Sequence, residues 1–113
     1  MHELRIAEDL SAIVLETAKR EKLSKVTKVN ISFGVLVQIV PDIFIFAFSE
    51  TVRNSIAQDA EVNIEIVPVK MICKKCGNDF GVEENMFVCE KCSSTDLEIV
   101  HGKELFIKSI EGE

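Results

Sequence analysis

Four cysteines fall in two pairs, Cys73-Lys74-Lys75-Cys76 and Cys89-Glu90-Lys91-Cys92, with twelve residues between the pairs. No other feature restricts the fold as much. Each C-x-x-C closes a tight turn that aims two sulfurs at one point. Two such turns on a short hairpin bring four thiolates to the corners of a tetrahedron, the arrangement Zn2+ favours. Gly77 follows the first pair, where the turn calls for a positive φ, and Ser93 stands in the matching place after the second. With sulfur in all four positions no open position is left for a substrate, so the spacing predicts a structural zinc site. A rubredoxin-like iron site, two disulfides and a redox-active pair are the other readings of the same spacing. Lys70, Lys74, Lys75 and Lys91 surround the cysteines, and a tetrathiolate centre of net negative charge explains them as local neutralisation. Phe80, Phe87 and Val88 are expected to cover the hairpin. A module this small buries little core, and metal binding can supply on the order of 10 kcal/mol to it.

The 113-residue chain is one domain's worth of sequence, with 47% apolar and 28% charged residues, so wholesale disorder is not expected. Its net charge of −6 argues against a bound nucleic acid, whose phosphates call for Lys and Arg. The acidic residues are scattered, and solubility accounts for them. Tyr and Trp are absent, which removes the commonest stacking residues. No apolar run approaches the roughly 20 residues of a membrane helix. His2, Glu3, Arg5, Glu8 and Asp9 interrupt any signal-peptide core, so the expected location is the cytoplasm. There thiols stay reduced, which favours metal over disulfides. A residue as large as His at position two is also a poor context for removal of Met1.

Leu4, Ile6, Leu10, Ile13, Val14 and Thr17 recur at helical spacing among charged residues and predict an amphipathic helix over about 4–22. The alternation from Val26 to Val35 predicts a half-buried strand, with Gly34 marking a bulge or a close approach near its end. Pro41 and Asp42 start a second helix, whose apolar side reads as Ile45, Phe48, Val52 and Ile56 and whose polar side as Glu50, Arg53, Asn54 and Gln58. Val62, Ile64 and Ile66 form a second strand that stops at Pro68, and 105–110 a third. The expected fold class is therefore α+β: two helices on a three-stranded sheet, with a zinc-ribbon-like module inserted between the last two strands. The expected domains are 1–69 plus 96–113 and, inserted between them, 70–95.

The other candidate site is the N-terminus. The amine of Met1, the backbone nitrogen of His2 and an imidazole nitrogen of His2 can close two fused chelate rings on one ion. Planar nitrogen sites favour Ni2+ or Cu2+ over Zn2+. That chelate lacks one donor, which the backbone nitrogen or carboxylate of Glu3, or a remote ligand such as His101, can supply. On the residues alone the metal signal is weak: a terminal His is usually just a solvated residue, and Glu3 serves equally as a carboxylate at a helix N-terminus.

Met1-His2-Glu3-Leu4 opening a helix, Gly34 closing the first strand, and Pro41 followed by Phe46-Ala47-Phe48 form a recognisable series. The paired C-x-x-C insert followed by Gly102-Lys103-Glu104-Leu105 completes it. Together they resemble the HypA family, the hydrogenase nickel-incorporation accessory proteins, from Met1 to about Glu111. The resemblance implies a nickel-binding α/β domain with a zinc domain inserted between its second and third strands. It places nickel, as transported cargo, on Met1, His2 and Glu3, and structural zinc on Cys73, Cys76, Cys89 and Cys92. It implies a metallochaperone. The sequence carries no nucleophile–base pair beside a pocket-like motif, no phosphate loop and no helix with paired metal-ligating histidines, so no enzyme is expected; monomer and homodimer both stay open. The partners the resemblance implies are a HypB-like GTPase and the large subunit of [NiFe]-hydrogenase, and in some bacteria urease maturation proteins. Arg5 and Ser93 depart from the small residue and the glycine usual in that family. The rival reading is a zinc-ribbon protein-interaction adaptor with no nickel role.

Overall fold

A computed structural model of the chain describes residues 2–82 and 87–113. The chain divides into two compact units, one of Met1–Ser32, Ile39–Glu65 and Phe106–Glu113, the other of Phe33–Gln38 and Ile66–Leu105.

In the first unit, helix α1 spans His2–Arg20. It starts two residues before the apolar periodicity does, so His2 and Glu3 lie within its first turn. It stops at Arg20 because Lys22 turns left-handed (φ 59°), and the N–H groups of Lys22 and Leu23 bond back to the carbonyls of Lys19 and Ala18. The face it buries is Ile6, Ala7, Leu10, Val14 and Ala18, whereas Leu4 and Ile13 are exposed. The four-residue step from Ile6 to Ala18 defines a narrow stripe, and Leu4 and Ile13 fall outside it.

Strand β1 (Val26–Gly34) is followed by one 3-10 turn, Val35–Val37, and then by helix α2 (Pro41–Thr51). The expected second helix is present, but its buried face is Phe44, Ala47, Phe48 and Val52. Ile45 and Ile56 are exposed. The helix ends at Thr51, so Arg53, Asn54 and Gln58 lie in the turns beyond it and do not form a helical polar face. Phe44 and Phe48, one turn apart, set their ring centroids 5.9 Å from each other. α1 and α2 pack together. Full burial of a Phe side chain contributes up to about 3 kcal/mol, so Phe44 and Phe48 dominate the buried side of α2, while Phe46 faces outward and is exposed.

Strands β2 (Glu61–Val67) and β6 (Leu105–Gly112) flank β1 in the order β2-β1-β6. Lys25 exchanges backbone bonds with Glu113 while Gly34 donates to Glu104, so β1 and β6 run antiparallel. Lys28 meets Glu61 and Asn30 meets Asn63, the constant offset of a parallel pair, as the α2 crossover between β1 and β2 requires.

The second unit holds a smaller antiparallel sheet, β4 (Asp79–Gly81), β3 (Lys70–Cys73) and β5 (Leu97–His101), with β3 in the middle. Strand β5 was not expected from its sequence; it places Ile99 opposite Met71. This unit therefore takes in more chain than the cysteine-rich stretch 70–95. Its core is Val69, Met71, Cys73, Phe80 and Cys89, with Leu36, Val82, Leu97 and Ile99 packed against it. Of the three residues expected to cover the hairpin, Phe80 is buried, while Phe87 and Val88 are about 40% exposed. The period-two alternation of Val69, Met71 and Cys73 fills the space in their stead. Among the described residues no helix is long and apolar enough to cross a membrane.

Candidate metal centres

The four cysteine sulfurs come together. Cys73 and Cys92 sit 3.5 Å apart, Cys76 and Cys89 3.6 Å apart, and one ligand atom from each lies within 4.8 Å of all the others. A tetrahedron with metal–sulfur bonds of about 2.3 Å has edges of about 3.8 Å, so the observed spacing fits one four-coordinate ion.

Two turns of the same design build the site. Gly77 N–H donates to the Cys73 carbonyl at 2.8 Å, and Ser93 N–H to the Cys89 carbonyl at 2.9 Å. Cys73 N–H donates to Asn78 and Cys89 N–H to Ser94, again at matching offsets. Both turns need a left-handed residue, Gly77 at φ 77° and Ser93 at φ 59°. Cys73 and Cys89 are buried members of the core, while Cys76 and Cys92 are exposed.

Backbone amides ready the buried pair for deprotonation. The Cys89 thiol is drawn down to about 6, chiefly by the N–H of Cys92, and the Cys73 thiol is lowered chiefly by that of Cys76. At Cys92 the Ser94 N–H also pulls downward. The Cys73 sulfur, burial and the remaining thiols outweigh it and push this thiol up to about 12. Crowded sulfurs resist losing the last proton, and a cation at their centre removes that resistance. The donor set thus suits a thiolate-bound metal. Of the four lysines expected to neutralise it, Lys70 is engaged with Asp79 at 3.5 Å.

At the other candidate site, His2 is exposed on the first turn of α1, and Met1 lies outside the described residues. Glu3 is only 9% exposed, and its Oε2 accepts the N–H of Val40 at 3.2 Å. That bond is the main reason its carboxyl lies below the usual carboxylate range. Sequence reasoning gave Glu3 to the metal or to the helix dipole and had no means of finding Val40, whose role is carried by a backbone N–H.

His101 belongs to the second unit, at the end of β5. Its Nδ1 lies 2.9 Å from Glu104 Oε2, while Glu104 Oε1 accepts the N–H of Gly102 at 2.7 Å. This turn also holds the end of β1: Gly34 N–H donates to Glu104 and Leu36 N–H to Gly102, both at 2.8 Å. The close approach expected at Gly34 is present there, since a Cβ on Gly34 would sit 2.0 Å from the Gly102 carbonyl carbon.

A sequence profile of the family described as hydrogenase/urease nickel incorporation, metallochaperone HypA, matches residues 1–112. The chain belongs to the HypA family. The hydrogenase maturation factor HypA of Desulfatibacillum aliphaticivorans is 37% identical over 112 residues, covering 98% of this chain and 86% of that one. That of Aquifex aeolicus is 34% identical, covering 98% and 96%. Among solved structures, the Ni metallochaperone HypA from Helicobacter pylori matches with a TM-score of 0.72 at 30% identity, over 99% of this chain and 97% of that one. A second HypA solution structure matches with a TM-score of 0.77, also at 30% identity, over 100% and 97%. These HypA relatives are named as maturation factors and a metallochaperone, in keeping with a chain whose described site residues are metal-ligand types.

Proposed function

We propose that this HypA protein is a nickel metallochaperone that captures Ni(II) on the Met1 amine and the His2 and Glu3 segment. It then passes the ion to a maturation partner. The HypB-like GTPase and the [NiFe]-hydrogenase large subunit, or urease maturation proteins, are the recipients the family suggests. The cysteine site holds structural zinc, and the protein works in the cytoplasm.

The observation that carries this reading is that α1 begins at His2. The first four N–H groups of an α-helix have no acceptor within it. The amide nitrogens of His2 and Glu3 can therefore give up their protons to a metal without breaking a helical bond. Planar nitrogen donors of this kind select Ni2+ over Zn2+. The positive end of the helix dipole opposes a dication, and the negative charge of deprotonated amides offsets it. Capture thus releases protons, and affinity rises with pH. The exposure of His2 leaves the ion open to ligand exchange, as a carrier needs.

The test is a calorimetric Ni2+ titration of zinc-loaded, untagged protein beside His2→Ala and an N-acetylated form. One nickel equivalent in the wild type that is lost in both variants, with zinc retained, supports the proposal. Equal binding in all three sinks it and leaves the adaptor reading.

A further inference from the structure

Sequence leaves two ways for Glu3 to serve a metal, through its carboxylate or through its backbone nitrogen. Its side chain is already engaged. Glu3 Oε2 lies 3.2 Å from the nitrogen of Val40, a long step along the chain, and the residue is 9% exposed. Val40 is the N-cap of α2, and it has no side-chain hydrogen bond of its own to cap that helix. Pro41 follows at the first helical position and brings no N–H. The carboxylate thus reaches the start of a second helix, where negative charge is favoured by the dipole, and there it satisfies a backbone donor.

For the carboxylate to swing onto an ion at the first turn of α1, it must leave that donor. The Val40 N–H would then trade a bond to a carboxylate for one to water, since Val40 is 48% exposed, and the charge-assisted bond is the stronger. The backbone nitrogen of Glu3 has no acceptor within the helix, because it lies within the first turn of α1; its N–H turns to its own carboxylate, a local bond that binding an ion gives up without uncovering Val40.

We infer that the Glu3 carboxylate is a positioning group and not a nickel ligand: it pins the first turn of α1 to the backbone N–H of Val40. This inference rests on the proposed N-terminal nickel site. It makes Glu3 act through Val40. The pin holds the His2–Glu3 backbone in one place against the start of α2, so that the chelate closes on an ordered turn and not on a fraying one. It also predicts which chemical change is tolerated. A side-chain amide at position 3 keeps an oxygen that can accept from Val40, whereas it is a poor ligand for Ni2+.

The experiment compares wild type, Glu3→Gln, Glu3→Ala and His2→Ala, all untagged and zinc-loaded. Three readouts are taken: Ni2+ affinity by calorimetry, the ligand-field absorption of the nickel complex, and hydrogen exchange of the Val40 amide without nickel. The expected result is that Glu3→Gln binds within about threefold of wild type with the same absorption bands. Glu3→Ala should weaken binding about tenfold, the effect of losing one charge-assisted hydrogen bond, with the bands unmoved and Val40 exchange faster. Glu3→Gln losing as much affinity as Glu3→Ala, with shifted bands, overturns the inference and makes the carboxylate a ligand. Val40 exchange unchanged in Glu3→Ala also overturns it, without reference to any metal. Nickel binding that survives His2→Ala sinks the N-terminal site itself, an outcome the other arms cannot mimic.

Discussion

Gly34→Ala gives the sharpest test of how the turn at Gly102 is held against Gly34 within the second unit. Gly34 has φ −78° and ψ 152°, an extended conformation that alanine adopts freely. Any cost is therefore steric. The new Cβ would stand 2.0 Å from the Gly102 carbonyl carbon and oxygen and 2.5 Å from the Lys103 nitrogen. All three are backbone atoms, so no side chain can swing aside. To reach an ordinary contact of 3.4 Å the two stretches must part by about 1.4 Å. The bonds from Gly34 to Glu104 and from Leu36 to Gly102, both 2.8 Å, do not survive that separation. Two backbone bonds at about 1 kcal/mol each, with the loosened packing of Leu36, give a loss of about 2–4 kcal/mol. At about 4 °C per kcal/mol for a chain near this size, the melting transition of the zinc-loaded protein should fall by roughly 8–16 °C. Amide exchange at Leu36 should speed up at least about 30-fold. Gly77→Ala is the control: its φ is 77° but a Cβ there meets nothing within 4 Å. It should cost only the left-handed strain of about 1–2 kcal/mol and leave Leu36 protected. A Gly34→Ala protein that melts within about 2 °C of wild type with Leu36 still protected would refute the steric argument.

Ser93→Gly should stabilise the cysteine module by about 0.5–1 kcal/mol, because Ser93 carries φ 59° where its counterpart is Gly77; thermal unfolding of the zinc-loaded protein reads the gain. The Glu104 carboxyl is held below its ordinary value of 4.5, chiefly by the His101 ring and next by the Gly102 N–H. A carboxyl lowered on folding contributes stability that is fully present above that value and is lost as pH falls through the folded one. Glu104→Gln should therefore melt lower than wild type at pH 7, and the two curves should converge in acid below 4.5. Chelating the metal, or making Cys89→Ser, removes what organises a core that includes both Cys73 and Cys89. Exchange protection at Met71 should vanish while the circular dichroism of α1 and α2 persists.

The features legible in the sequence are those written in local periodicity or in a fixed spacing. The cysteine turns, Gly77 at positive φ, both helices and the strands of the larger sheet are of this kind. Which face of a helix is buried was less legible. In α2 nearly every residue from Ile43 to Phe48 is apolar, so pattern alone does not choose between Phe44 and Ile45; the neighbouring elements choose. Strand β5 has only a brief signal of its own: Leu97-Glu98-Ile99 alternates for three residues before Val100 breaks the pattern, and pairing with β3 defines it. The Glu3–Val40 bond joins residues far apart in sequence through a backbone donor, which no residue type announces.

The two proposed metal sites separate by donor chemistry. The cysteine site offers four soft donors at tetrahedral spacing, and two of them are built into a buried core. Loss of its ion therefore carries a folding cost, and slow exchange follows. The proposed cargo site offers nitrogen donors on a helical turn whose His2 is exposed, so a competing ligand can approach from that side. Geometry also keeps the ions in their places, since tetrahedral thiolate suits Zn2+ and planar nitrogen suits Ni2+. The proposed carrier role calls for this asymmetry: one metal held by the folded core and one that leaves readily. The proposed Glu3 pin would serve the second requirement without defeating it, because it orders the turn proposed to bind nickel and adds no bond to the ion that a recipient would have to break.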